Sequence, residues 1–394
     1  MKPQDRINML QEKIVSQDLA GVLLSYSRNV FYYTGTAQPS YLVVLPEDYF
    51  LFVRSGFEFA INDVFISKEK MKEERRLGNI YQEIFAGLRK ANKRIGTELD
   101  ILTVEQFKGF RKAFPDYEFV NISPVVFDQR KKKDPSEIEK IRKACDALHQ
   151  GHEAVLNTLR LQTDITELEL AAVMENAHRV AGHEGIFFIR HPDFFMSRGP
   201  IASGPNLFKI SGVVYTITGV GLSPSVPAGP SRRKIETGDV IIIDIPTHVD
   251  GYHADQTRTY VLGKADDKIR TMYDNLKDIA DHLIENMKPG MKCSEIYGTA
   301  IKRAQDLEAI DSFLNFGKGR RSRLLGHGIG LELNEPPVPS EYDHSEIDED
   351  YVIALDMHMM DESVGVVKLE DMILIKDKGN EILTKSPRHL FEIT

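Results

Sequence analysis

Five side chains in the C-terminal two thirds of the chain stand where they are costly unless something binds them. Asp244 closes the apolar run "GDVIIID", and Asp255 opens the stretch that returns from "HVDGY". Asp356 interrupts "VIALDMHMM", and Glu370, fourteen positions on, sits inside the mostly apolar stretch "VVKLEDMILI". His327 lies between two glycines in "LLGHGIGLELNEPP". An ionised carboxylate at the end of a buried strand is expensive without a counter-charge. Two that face each other raise each other's pKa. A bound cation removes both costs. Singly, each residue has an ordinary reading, as a strand-end aspartate or a loop histidine. Four acids and one imidazole together, in two hairpins and one loop, point to a metal centre with mostly oxygen ligands, which suits Mn²⁺ or Co²⁺, with Fe²⁺ and Zn²⁺ as further candidates.

The elements that must position these groups are strands. Asp250-Gly251 is a turn signal, so Asp244 and Asp255 are expected to face each other across a hairpin. The spacing of Asp356 and Glu370 leaves room for a second hairpin. Upstream, "PSEIEKIRKACDALHQGHEAVLNTL", "TDITELELAAVMENAHRVAGHEG", "DKIRTMYDNLKDIADHLIENMKPG" and "KCSEIYGTAIKRAQDL" have helical periodicity. Further strands are expected at "VVYTITGV", "TRTYVLG" and "VIALDMHMM". The result is an α+β domain, helices packed on a mostly antiparallel sheet. Residues 1–128 alternate strand and helix patterns and predict a smaller α/β domain. A basic run and Pro135 mark a linker at 129–137, which places the second domain at 138–394.

The totals set limits. The 394 residues favour two domains over one core. A net charge of −9 argues against a nucleic-acid partner. Two cysteines, Cys145 and Cys293, are too few for a disulfide framework and fit a reducing cytoplasm. No apolar run is long enough to cross a bilayer, so no membrane partner is expected.

At these motifs the chain resembles the pita-bread metallopeptidases: methionine aminopeptidase, aminopeptidase P and prolidase, with creatinase as a non-peptidase relative. "RNVFYYTGT" and "YLVVLPEDYFLFVR" resemble the creatinase-type N-terminal domain, and "KDPSEIEKIRKA" the start of the inter-domain helix. "PIASGPN", "GDVIIIDI", "DGYHADQTRTY", "GHGIGLELNEPP" and "VVKLEDMILI" are similar to blocks of the pita-bread catalytic domain, in the same order and spacing. The resemblance implies two divalent ions. Asp244 would bind one, Asp255 and Glu370 would bridge, and His327 and Asp356 would hold the second. Thr257 would support a carboxylate from behind, and Asp356 would shuttle a proton. It further implies a metal-activated hydroxide attacking a C–N bond of a small peptide, a homodimer, and glycines beside His327 that admit backbone and substrate.

Three departures from the pattern stand out. Asp356 replaces a glutamate, and its reach is shorter by roughly 1–1.5 Å, so either the backbone moves inward or the second metal is weaker or absent. Asn334 stands where the peptidases carry a second histidine; its amide can donate to an oxyanion or a substrate but carries no proton. A third histidine is expected some 17 residues before Asp244, a position held here by Pro227, in a segment rich in Gly, Pro and Ser. His191 and His358 are candidate replacements, and Arg232 and Arg233 candidate carboxylate binders. The leading expectation is a metal-dependent hydrolase of Xaa-Pro peptides. The alternatives are a hydrolase or lyase acting on a small metabolite, and a metal-binding pseudoenzyme.

Overall fold

The computed structural model describes residues 3–88, 93–162, 164–191, 199–211 and 216–394. The chain divides into two compact units, residues 1–130 and 131–394.

The first unit is built on a sheet of six strands. These are β1 (Gly21–Leu24), β2 (Ser40–Val44), β3 (Tyr49–Val53), β4 (Met71–Glu73), β5 (Arg94–Thr97) and β6 (Glu118–Asn121), in the order β4-β3-β2-β1-β5-β6. β1 to β3 form an antiparallel meander, and β5 and β6 run parallel to β1. Phe52, Phe85, Phe110, Phe114 and Phe119 fill the core on one side. This is the α/β arrangement that the alternating patterns predict.

The second unit carries the acids. Its large sheet runs β12 (Gly326–Gly328), β13 (Val352–Asp361), β14 (Gly365–Leu374), β11 (Thr257–Leu262), β8 (Val240–Asp244) and β7 (Ile201–Ser203), each pair antiparallel. A separate hairpin of β9 (Thr247–Val249) and β10 (Tyr252–Ala254) continues from β8 and leads into β11. The helices Asp267–Asn286 and Cys293–Asp306 share a core with Leu355, Met357, Val367 and Leu369, the residues that alternate with the acids on β13 and β14. The helices Pro135–Leu161 and Glu167–Val180 share a second core with Ile241, Ile243 and Tyr260. The period-2 pattern of a strand thus sends one set of side chains to the helices and the other to the site.

Three expectations need adjustment. The linker expected at 129–137 is mostly helix: one helix runs through Lys131, and the next begins at Pro135, capped by Asp134 with Glu137 in reciprocal bonds. Of the strand expected at 213–220, residues 213–215 lie outside the described residues, and the rest makes only the bridge Gly219–Gly229. Asp244 does not face Asp255 directly; its cross-strand partner is Thr257, and Asp255 lies two residues before it, where the ladder breaks between β10 and β11. Asp255 is therefore a diagonal neighbour of Asp244 on one face. Both cysteines are buried and free. Among the described residues no helix is long and apolar enough to cross a membrane.

Candidate metal centre

Strand register alone aligns most of the site. Asp244 pairs with Thr257, Thr257 with Glu370, and Glu370 with Asp356, so four side chains form one row across β8, β11, β14 and β13. His327 pairs with Ala354, two residues before Asp356, and so joins the same face. The structure brings all five sequence-derived candidates together as two sets of three. One is Asp255, His327 and Glu370; the other is Asp244, Asp356 and Glu370. Within each set a ligand atom from every member lies within 4.8 Å of the others.

The glycines beside His327 serve the backbone. Gly326 has φ +156°, and a Cβ there would sit 1.9 Å from the carbonyl oxygen of Ala354. A Cβ on Gly328 would sit 2.5 Å from the carbonyl oxygen of Pro336. The bare flanks thus let the histidine's strand press against β13 on one side and the proline turn on the other. His327 Nδ1 is 3.1 Å from the carbonyl of Gly328 and donates to it, which leaves Nε2 as the free ligand atom, 3.9 Å from Glu370 Oε1. Burial lowers the His327 pKa and favours the neutral, ligating form.

The carboxylates carry the electrostatic cost expected of them. Burial, then the Asp244 charge, raises Asp255 well above the usual aspartate range. Burial, then Asp255 and Asp356, does the same to Glu370. Burial pushes Asp356 up to about 6, against the opposing pull of Lys368. Glu370 Oε1 is buried and makes no hydrogen bond. Glu370 Oε2 accepts from the Thr257 hydroxyl at 2.9 Å, the supporting contact expected of Thr257. An orphaned buried carboxylate oxygen opposite a free imidazole nitrogen, with Asp255 alongside, fits a divalent ion.

The other set of three has a different content. Lys368, two residues before Glu370 on β14, shares its face and is fully buried. Its ammonium contacts Asp244 Oδ2, lies 2.9 Å from Asp356 Oδ1, and is 3.9 Å from Glu370 Oε2. Burial pulls the lysine pKa down, but Asp244, Asp356 and Glu370 together raise it above the usual range, so the group is an ammonium. Sequence reasoning missed this residue. The signal was present, because a lysine at i−2 from Glu370 in an apolar strand must point the same way. Thr216 was missed too; its hydroxyl donates to Asp244 Oδ2 at 3.2 Å. Nothing in its surroundings marked it.

Asn334 is exposed and lines a cavity of about 400 Å³ with His327, Glu335, Pro336, Val338 and Asp356. Of the remaining candidates, His358 and Arg233 are engaged elsewhere. His358 faces Lys368 across the ladder, bonds the carbonyl of Asn315 at 3.0 Å and stacks on Phe316; burial lowers its pKa to about 3. Arg233 clamps Asp239 at 2.5 and 3.0 Å and donates to Ser203. Arg232 and His191 are exposed, and His191 borders residues 192–198, outside the described residues. The carbonyl of Pro227 accepts from the Ser211 hydroxyl. The buried Glu167, also missed, holds the segments on either side of this loop by accepting from the amides and hydroxyls of both Ser203 and Ser231.

Comparison with known proteins identifies a family for each part of the chain. The sequence model of metallopeptidase family M24 matches residues 139–377, and that of the creatinase/prolidase N-terminal domain matches residues 6–132. The chain is 27% identical to an Xaa-Pro dipeptidase of Pyrococcus furiosus, over 98% of this chain and 99% of that one. Among solved structures, the prolidase of Pyrococcus horikoshii OT3 superposes with a TM-score of 0.79 at 25% identity, over 98% of this chain and all of that one. An Xaa-Pro dipeptidase of Bacillus anthracis superposes with a TM-score of 0.82 at 21% identity, over 99% and 100%.

Proposed function

Because the chain belongs to metallopeptidase family M24, we propose that it is a metal-dependent hydrolase that cleaves the Xaa-Pro bond of dipeptides or short peptides. Its architecture is a creatinase-type N-terminal domain followed by a pita-bread catalytic domain. The observation that carries the reading is the convergence of Asp244, Asp255, His327, Asp356 and Glu370 on one sheet face, beside a cavity edged by Asn334. Mn²⁺ and Co²⁺ suit this oxygen-rich set best.

When bound, a divalent ion supplies Lewis acidity and a nucleophile at neutral pH. The chain's own residues do the rest. Thr257 fixes Glu370 by holding Oε2, so that Oε1 is the oxygen left for the ion. Gly328 fixes the His327 tautomer through Nδ1. Asp356 borders the cavity with one oxygen near Lys368, which supports reading it as the carboxyl that passes a proton to the leaving nitrogen. The Asn334 amide can donate to the carbonyl oxygen as charge develops there, in place of the imidazole of the resembling peptidases.

A cytoplasmic setting belongs to the same reading, since both thiols are free. So does a homodimer, which measurement of the solution mass by light scattering tests. The direct test of function is hydrolysis of Xaa-Pro dipeptides and tripeptides by chelator-stripped protein with and without added Mn²⁺ or Co²⁺. Turnover that appears only with metal is expected. No turnover with metal demonstrably bound removes the peptidase reading.

A further inference from the structure

The two ligand sets share Glu370 but differ in what faces them. Lys368 Nζ contacts Asp244, lies 2.9 Å from Asp356 Oδ1 and comes within 3.9 Å of Glu370 Oε2, so it faces all of the Asp244–Asp356–Glu370 set. In the Asp255–His327–Glu370 set, the free imidazole nitrogen and the unbonded Glu370 Oε1 look at each other. We infer that the Lys368 ammonium takes the place of one divalent ion, so that the centre binds a single ion at Asp255, His327 and Glu370. The inference rests on the metal-hydrolase reading above and gives it a stoichiometry.

Three observations support it. The first is space. Metal–oxygen bonds are about 2.0–2.2 Å, so an ion joining Asp244 to Asp356 would need the volume that the ammonium fills. The second is the cost of moving the lysine. Lys368 is fully buried, and its backbone amide and carbonyl are both tied to the Thr259 hydroxyl at 2.9 and 2.7 Å. Withdrawn from the acids, its charge would be buried without compensation. The third is Asp356 itself. An ammonium stands about 2.7–2.9 Å from a carboxylate oxygen, farther than a metal does. A side chain one methylene shorter than glutamate leaves that extra room, so the shortened ligand and the lysine are complementary.

The test is a manganese titration of metal-free full-length protein, read by calorimetry and by electron paramagnetic resonance. One equivalent with an uncoupled six-line signal is expected. Two equivalents with an exchange-coupled signal overturn the inference but leave the hydrolase reading standing. No binding overturns both. The variant Lys368→Met is expected to take up a second equivalent; one equivalent in a folded variant overturns the inference, because the limit then lies elsewhere. If Lys368→Met does not fold, single-ligand variants decide. Asp255→Asn is expected to lose more than about 100-fold in manganese affinity and Asp244→Asn less than about tenfold. Equal losses overturn the inference.

Discussion

Asp356 and Glu370 stand directly opposite each other in the β13–β14 ladder. One register therefore places both acids on the site face and sends Met357 and Leu369 into the helix-covered core. A slip of one residue would exchange the two sets. Thr257 lies in the same row and holds Glu370 from the other side.

Thr257→Val keeps the shape of the side chain and removes the hydroxyl that orients Glu370. Manganese affinity should fall by about 10–100-fold, with thermal stability of the metal-free protein little changed. Calorimetric titration checks this, and an unchanged affinity would mean that Glu370 is held by the ladder alone.

Asn334→Ala removes the amide at the cavity edge. It should lower kcat for an Xaa-Pro dipeptide on the order of 10²-fold, with a smaller effect on KM. A kcat equal to that of the wild type would place the oxyanion donor on another residue.

Gly326→Ala puts a methyl 1.9 Å from a backbone carbonyl at φ +156°. The β12–β13 pairing that carries His327 should open, at a cost of about 2–3 kcal/mol and with metal binding lost. Urea denaturation and metal titration of the same preparation measure the two effects.

Gly151→Ala tests packing far from the chemistry. Alanine normally stabilises a helix relative to glycine by about 1 kcal/mol. Here the added Cβ would lie 2.0 Å from His178 Nε2, with both residues buried. The sign should reverse, to a loss of about 1–3 kcal/mol; a higher melting temperature would refute the clash.

The buried histidines set a pH dependence of stability. Burial, then the Arg258 charge, lowers His152 to about 3; burial, then His183, lowers His178 to about 3. Above pH 6.5 neither state is protonated, and no penalty applies. Below it the unfolded chain takes up protons that the folded chain refuses, so stability falls as pH drops from about 6.5 toward about 3. At pH 5 the loss is about 2 kcal/mol per histidine. The raised Asp255 and Glu370 act in the opposite sense in metal-free protein, their stabilisation being lost as pH rises. The check is therefore a comparison of variants. His152→Gln should show a shallower decline in urea midpoint between pH 7 and 5 than the wild type, and parallel declines would count against it.

Much of the site was legible in the chain. Asp244, Asp255, Asp356 and Glu370 stood out because they lie in or beside strands with largely apolar sequence, and burial makes a carboxylate conspicuous. His327 stood out through its glycines, although their reason proved to be the nearness of Ala354 and Pro336. Lys368 offered only its spacing of two from Glu370, which gives its face but not its burial. A single lysine in a strand reads as an edge or surface residue until the partner strands are known. His358 looked like a replacement imidazole until its bond to Asn315 and its stack on Phe316 were seen.

The sequence by itself pointed to two domains, the α+β class and five candidate ligands, because strand periodicity and burial cost are local properties. Only the tertiary structure decided how those ligands divide. Which carboxylates meet the Lys368 ammonium and which meet His327 depends on the register of five strands. The register that joins the two hairpins pairs residues more than 100 positions apart, Thr257 with Glu370, which no local pattern encodes.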